Sequence, residues 1–132
     1  MGVASRSNLL SLVAVVEGAT GLGLLVLPAT LFALLFGAGQ VPPEAQLVGR
    51  FAGAALLGVA AASWGSRRED QMEARLGLLI GLAIYNGLAT ALFAYAAIVL
   101  EMTGILLWPA ALFHAVLLPW CLVCAWRVAQ QR

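Results

Sequence analysis

Four stretches of this chain are long and apolar enough to cross a lipid bilayer as helices, each of which needs about 20 predominantly apolar residues. They cover approximately residues 9–30, 47–64, 76–100 and 105–126. Of all residues, 63% are hydrophobic and only 10% are charged, whereas about 25% of the residues in soluble domains are charged. We therefore predict an all-α fold, an integral membrane bundle of four transmembrane helices, in which residues 1–132 form a single membrane domain.

The first apolar run continues from Leu9 to Phe36 and is interrupted by Glu17 and Pro28. A helix of that length would exceed the ~30 Å hydrocarbon core of a bilayer, and a proline kinks or breaks a helix interior. We expect the span to end near residue 30 and residues 31–36 to lie along the outer interface. The run is also much longer than the roughly 7–15 apolar residues of a signal peptide, so we expect it to be retained.

The placement of the basic residues predicts an orientation, because cytoplasmic loops of membrane proteins carry an excess of Lys and Arg. All seven basic residues here are Arg, and in a four-span topology only Arg50 lies on one side. The other side holds Arg6, Arg67, Arg68, Arg75, Arg127 and Arg132. We predict that both termini are cytoplasmic (N-in/C-in) in the plasma (inner) membrane. So few basic residues give no surface for nucleic acid.

Pairs of glycines four residues apart allow membrane helices to approach closely. Gly49 and Gly53 form one such GxxxG pair on the second span, and Gly77 and Gly81 form another on the third. The pairs are compatible with packing inside one bundle or with association between copies of the chain. We predict packing inside the bundle, and a homo-oligomer or a larger membrane complex is the alternative.

Polar side chains within a span are costly, about 2.5–3.5 kcal/mol for a charged residue on insertion scales, and they usually mark a functional site. Glu17, Asn86 and His114 lie near the centres of three different spans, so we expect them to face inward and meet. Tyr85 adjoins Asn86. Arg50 lies about one turn inside the outer end of the second span, where its side chain either reaches the outer surface or turns inward to pair with Glu17.

Three interpretations of this polar cluster are open. In the first, Glu17, Asn86 and His114 form a hydrogen-bond network that only holds the helices together. In the second, they line a pocket for a small lipophilic ligand such as a quinone. His114 or Asn86 would then donate to a carbonyl group, and Glu17 would exchange a proton. In the third, His114 is an axial ligand of haem, although the sequence offers no second ligand at a matching depth.

Cys121 and Cys124 form a CxxC motif, a spacing that pairs a nucleophilic and a resolving thiol in redox proteins. Both lie in an apolar helix, and the chain has no further cysteine to relay electrons. We therefore predict two buried, unreactive thiols, with a redox role as the alternative. One His and two Cys without further ligands nearby predict no metal site.

Two segments carry a resemblance to known proteins. They are EGATGLGLLVLP (Glu17–Pro28), followed by an apolar turn ending at Gly37, and GRFAG (Gly49–Gly53) at the start of the second span. The chain resembles the small bacterial four-helix membrane proteins of the DoxX-like and DUF4345-type families, mainly in topology. The resemblance implies the four-helix fold. Members of the DoxX group have been linked to quinol oxidase or thiol-redox assemblies, but no catalytic residue carries over to this chain.

The sequence favours a small membrane binding module or accessory subunit that holds a lipophilic ligand, rather than an enzyme. One alternative is a quinone- or thiol-linked redox component that uses Cys121 and Cys124. Another is a transporter, which would have to be oligomeric because four short helices enclose little volume. The candidate ligand-binding residues are Glu17, Arg50, Tyr85, Asn86 and His114.

Overall fold

A computed structural model describes residues 2–130, with side chains from Arg6 to residue 130. Arg132, which entered the prediction of orientation, lies outside the described residues. Between residues 2 and 130 the chain is helical with no strand. In chain order its elements are α1 (Gly2–Val26), α2 (Pro28–Phe36), α3 (Pro43–Gly65), a 3-10 helix (Ser66–Arg68), α4 (Met72–Ile98) and α5 (Leu107–Ala129).

The predicted all-α class is confirmed, and four of the helices are long and apolar enough to cross a membrane. Their bounds differ from the predicted spans by four residues or fewer. Five of the eight ends lie beyond the predicted span, where the helix continues past the apolar run into polar residues. α3 shows why: it begins at Pro43 with Glu44 in its first turn, and both residue types favour a helix N-terminus. The four candidate spans are Arg6–Val26, Pro43–Arg68, Met72–Ile98 and Leu107–Ala129.

Pro28 breaks the first apolar run, as predicted. Leu27 leaves the helical conformation with φ −127°, and Pro28 is the first residue of α2, a position where the missing N–H breaks no hydrogen bond. α2 then lies against α1 and α3, with Leu31 close to Gly23 of α1. Residues 31–36 are thus the helical end of α2, and their position at a membrane interface stays a prediction.

The long helices form two pairs, α1 with α3 and α4 with α5, and α1 also lies against α5. The first pair crosses at two glycines. A Cβ atom added to Gly53 would lie 2.6 Å from the carbonyl oxygen of Gly21, and one added to Gly21 would lie 2.8 Å from that of Gly53. No side chain fits between backbones this close. Gly77 and Gly81 differ, because a Cβ atom added to either would meet nothing within 4 Å.

The apolar core lies between α1, α4 and α5, at the end of the bundle where the chain begins. Leu10 and Val13 of α1 pack there with Leu79 of α4. Cys121 and Cys124 of α5 belong to the same cluster and form no disulfide. The two cysteines are therefore buried as predicted, while their lack of reactivity stays a prediction.

Arg6 ties α1 to the connection between α3 and α4 at this end of the bundle. Its side chain is buried, and its Nη2 donates to the carbonyl oxygens of Arg67 at 3.4 Å and Glu69 at 3.2 Å. These two carbonyls belong to the 3-10 helix and the residue after it. Arg6 thereby holds the start of α4 near the start of α1.

The connection between α4 and α5 is longer than the four residues, 101–104, that separate the third and fourth predicted spans. It covers residues 99–106 and lies on α2. The N–H of Leu106 donates to the carbonyl oxygen of Leu34 at 2.9 Å, and Gly104 is packed against the backbone of Leu35 with no room for a side chain. Since this conformation depends on contacts with α2, it has no local signature in the sequence.

Candidate functional site

A cavity of about 450 Å³ lies between the two helix pairs, with α2 forming one of its walls. Its volume falls in the range of about 300–1,000 Å³ that is typical of small-molecule sites. The walls are mostly apolar and include three of the five predicted site residues, Glu17, Tyr85 and His114. The lining residues are Val16, Glu17, Thr20, Leu24, Leu31, Phe32, Leu35, Phe36, Val48, Gly49, Ala52, Leu56, Tyr85, Phe93, Leu106, Pro109, Ala110, Phe113 and His114.

Glu17 supplies the carboxyl group of the cavity wall, and only 3% of its surface is exposed. Its Oε2 accepts a hydrogen bond from the Tyr85 hydroxyl at 3.0 Å. Because Glu17 belongs to α1 and Tyr85 to α4, this bond joins the two helix pairs. The other oxygen, Oε1, is buried and has no hydrogen-bond partner among the described residues. A buried polar atom without a partner is destabilising, so a hydrogen bond from a ligand to Oε1 would stabilise the site.

Arg50 does not pair with Glu17, contrary to one of the two predicted arrangements. Its Nη1 donates to the carbonyl oxygen of Leu25 at 2.6 Å, on an exposed part of the surface. The physical reason lies in the break at Pro28. The last carbonyls of a helix lack intrahelical partners, and a cation is favourable beside them. Arg50 therefore binds the end of α1 and leaves the Glu17 carboxyl to Tyr85.

Asn86 holds His114 in place from behind. Its side chain is fully buried, and its Nδ2 donates to the carbonyl oxygen of Leu82 at 2.7 Å. This bond turns Oδ1 towards His114 Nδ1, which lies 2.8 Å away. Since Oδ1 only accepts, Nδ1 carries the hydrogen and donates it, and Nε2 of the neutral ring is left as an acceptor.

Asn86 is thus a positioning residue. It was predicted as a ligand contact, but it is absent from the cavity wall, which His114 lines. The predicted donation from His114 to a ligand carbonyl stays a prediction, and because the Nδ1 hydrogen is used by Asn86 it would need a hydrogen on Nε2 as well. The neutral ring presents an acceptor to any hydrogen bond made through Nε2.

Aromatic rings surround the His114 imidazole on three sides. Phe93 stacks on it with ring centroids 5.6 Å apart and an interplanar angle of 18°. Phe113 and Tyr85 meet it edge-on, with centroids 5.5 and 5.4 Å away. Such contacts fix the plane of the ring in addition to its hydrogen bond. His114 is therefore held rigidly at the cavity wall.

The phenylalanines of the cavity were missed by the sequence analysis. Of the five in the chain, four line the cavity: Phe32, Phe36, Phe93 and Phe113. One signal was available, because Phe93 follows Tyr85 by eight residues and so shares its helix face. In a helix that is apolar on every side, however, such a spacing does not distinguish a cavity wall from a lipid-facing one.

The two cysteines do not line the cavity, and no cluster of metal-ligating side chains forms among the described residues. Cys121 and Cys124 belong to the apolar core and do not line the cavity. Across the part of the chain that the structure describes, no three His, Cys, Asp or Glu side chains come together as metal ligands. The polar chemistry of the cavity therefore rests on Glu17, Tyr85 and His114, with Thr20 also in the wall.

Comparison with known protein families, with curated proteins and with solved structures returned no match. The resemblance to DoxX-like and DUF4345-type proteins therefore stays a prediction, and the site is interpreted from its own geometry.

The hydrogen bond between Asn86 and His114 should be measurable as a coupling energy. Asn86→Leu and His114→Phe each leave the other residue with an unpaired buried group, so each should lower the free energy of unfolding by about 1 kcal/mol or more. The double variant should lose less than the sum of the two, by about 1 kcal/mol. Unfolding in mixed detergent micelles measures all three variants.

The chain contains one other asparagine, the exposed Asn8, and Asn8→Leu is the matched control. It should leave the free energy of unfolding within about 0.5 kcal/mol of the starting value. Strictly additive losses for Asn86→Leu and His114→Phe would show that the two side chains do not form the hydrogen bond.

Proposed function

We propose that the protein is a small integral membrane binding module that holds one lipophilic molecule in the cavity, alone or as an accessory subunit of a larger complex. The observation that carries this proposal is Glu17 Oε1, a buried and unpartnered carboxyl oxygen at the wall of an apolar cavity of ligand size. A hydroxyl or amine group of a ligand would donate a hydrogen bond to the Glu17 carboxyl, and a carbonyl group would accept one from the protonated carboxyl.

If the polar cluster only held the helices together, its polar atoms would be hydrogen-bonded to one another or to the backbone. Asn86 and His114 fit that description, since their side chains bind each other and the carbonyl oxygen of Leu82. Glu17 does not, because Tyr85 occupies only one of its carboxyl oxygens. Buried polar atoms in proteins are nearly always hydrogen-bonded, so an unpartnered one calls for an explanation. The unpartnered buried atoms of the described residues also include Ser63 Oγ, but Glu17 alone among these residues lines the cavity. This difference favours a ligand over a purely structural network.

A flat ring is the head group that best suits the walls. Phe93 and Phe113 are already packed around His114, and Phe36 stacks near Phe93 with ring centroids 6.3 Å apart. Aromatic side chains bind other rings by stacking and edge contacts. A quinone, or its reduced form, the hydroquinone, is therefore one suitable ligand. The thiol-linked alternative receives no support from the positions of the cysteines.

We further propose that the four long helices cross the inner membrane with both termini cytoplasmic. The length and hydropathy of these helices support a membrane position, and the excess of Arg on one side supports the orientation. The connection after α3 that carries Arg67 and Arg68 lies beside Arg6, so these three basic residues lie at the same end of the bundle. The cavity, walled by α2, would then lie in the outer half of the bilayer.

Mass spectrometry of the protein purified in mild detergent tests the binding proposal. We expect a lipophilic molecule at near-stoichiometric amount. Its occupancy should fall about tenfold in Glu17→Gln and in Tyr85→Phe, because each variant removes part of the hydrogen bonding at the head group.

The chain offers matched controls for both variants. Glu44 is an exposed acid, and Tyr95, the second of the two tyrosines, is exposed on the same helix as Tyr85. Glu44→Gln and Tyr95→Phe should keep full occupancy. A ligand-free preparation, or equal loss in the control variants, would contradict the proposed function.

The orientation can be tested by cysteine labelling in intact cells. In a variant whose two native cysteines are replaced by alanine, Gly39→Cys lies between α2 and α3, and Gln71→Cys lies between the 3-10 helix and α4. A membrane-impermeant maleimide should label Gly39→Cys but not Gln71→Cys, and permeabilised cells should show both. The opposite pattern in intact cells would reverse the proposed topology.

A further inference from the structure

An open groove runs between α3 and α4, two helices that follow each other in the chain but make few contacts. Small residues line both sides, among them Ala55 and Gly58 on α3 and Gly77 and Gly81 on α4. A Cβ atom added to Gly58, Gly77 or Gly81 would meet nothing within 4 Å. The second glycine pair therefore borders a space of about 530 Å³ that the protein itself does not fill.

The groove adjoins the ligand cavity. A hollow of about 400 Å³ shares Ala52, Leu56 and Phe93 with the cavity and Ala55 with the groove. Tyr85 lines all three spaces. The residue that binds Glu17 thus forms part of the wall of both the cavity and the groove.

We propose that the ligand is an amphiphile whose polar head binds at Glu17 and Tyr85 and whose apolar chain lies in the groove between α3 and α4. This inference rests on the proposed function and specifies the chemical class of the ligand, a head group attached to an alkyl or prenyl chain. Because the groove lies on the outer surface of the bundle, the ligand would enter sideways from the bilayer.

Two independent features indicate where the polar and the apolar end of such a molecule would bind. The polar end is indicated by Glu17 Oε1, which is buried at the cavity wall and has no partner among the described residues. The apolar end is indicated by the groove. From Tyr85 to Gly77 it extends about 12 Å at the ~1.5 Å rise of a helix, and Leu78 and Leu82 line it with the small residues. That is a length suited to a hydrocarbon chain rather than to a second compact ring.

A second copy of the chain is the competing occupant of the groove, because open small-residue faces also mediate helix association. The position of the groove beside the cavity favours the chain of a ligand, because a head group bound at Glu17 and Tyr85 would place an attached chain at the start of the groove.

Photo-crosslinking with a phenol that carries a para-dodecyl chain ending in a diazirine tests this assignment. The phenol hydroxyl both donates and accepts, so it suits the Glu17 carboxyl. We expect the adducts, mapped by mass spectrometry on the full-length protein in detergent, to lie on residues 55–62 and 77–82. A butyl probe with the same head should instead label residues that line the cavity.

Ala55 and Ala54 give a matched pair of variants, since both are exposed on α3 and only Ala55 lines the groove. Ala55→Leu should lower labelling by the dodecyl probe about tenfold, because the larger side chain fills the groove. Labelling by the butyl probe should be unchanged. Ala54→Leu should change the labelling by neither probe. Both variants are compared at one detergent concentration, so that each probe partitions into the micelles to the same extent in both samples.

The outcomes separate this inference from the proposed function. Labelling of the cavity by both probes, equal in Ala54→Leu and Ala55→Leu, would overturn the position of the chain while leaving the binding module intact. Labelling that is insensitive to Glu17→Gln and Tyr85→Phe would contradict the proposed function itself. A dodecyl probe that labels nothing in the groove, together with dimers that Ala55→Leu dissociates, would assign the groove to a second copy. The adduct map of the unmodified protein decides the question even if Ala55→Leu fails to fold.

Discussion

The hydrogen bond from Tyr85 to Glu17 is the interaction on which the site depends. It joins α1 to α4, and hence the two helix pairs, at the wall of the cavity. In apolar surroundings a polar group must find its partner within the protein, and Tyr85 satisfies only half of the Glu17 carboxyl. Glu17 also lines the cavity that the helix pairs leave between them, so a ligand there would lie beside a carboxyl group with one oxygen that lacks a partner among the described residues.

The polar residues divide into those that contact the cavity and those that position others. Asn86 is fully buried and holds His114 through Nδ1, while Phe93 and Phe113 fix the plane of the ring. Arg50 binds the carbonyl oxygen of Leu25 at the end of α1. That contact keeps its positive charge away from the cavity. The result is an apolar space whose polar contacts come from a few oriented groups, the usual form of a small-molecule site.

Much of the fold follows from the sequence because four apolar runs have the length that a membrane-spanning helix requires. The four long helices and the break at Pro28 were predictable on that basis. The convergence of Glu17 and His114 also followed, from their similar depth along different helices. Depth along a helix is set by residue number, and it can be read without knowing how the helices pack.

The direction of each side chain around its helix could not be read in the same way. Helices that are apolar on all sides carry little pattern to show which face is inside. For this reason the sequence did not reveal that Asn86 lies behind His114 or that Phe36 lines the cavity. The contact of Arg50 with Leu25 and the docking of residues 99–106 on α2 also depend on tertiary packing. The openness of the α3–α4 groove has the same origin.

The state of His114 tests the central claim most directly, because it is the single histidine of the chain. In the NMR spectrum of protein made with ¹⁵N-labelled histidine, this residue gives one pair of imidazole nitrogen resonances. We predict a hydrogen on Nδ1, held by Asn86, and a bare Nε2, and addition of a para-alkylphenol should shift the imidazole resonances because the ring lines the binding cavity. Resonances that do not respond to the phenol would contradict a ligand site built around Glu17, Tyr85 and His114, and a hydrogen on Nε2 in the free protein would contradict the hydrogen bond from His114 to Asn86.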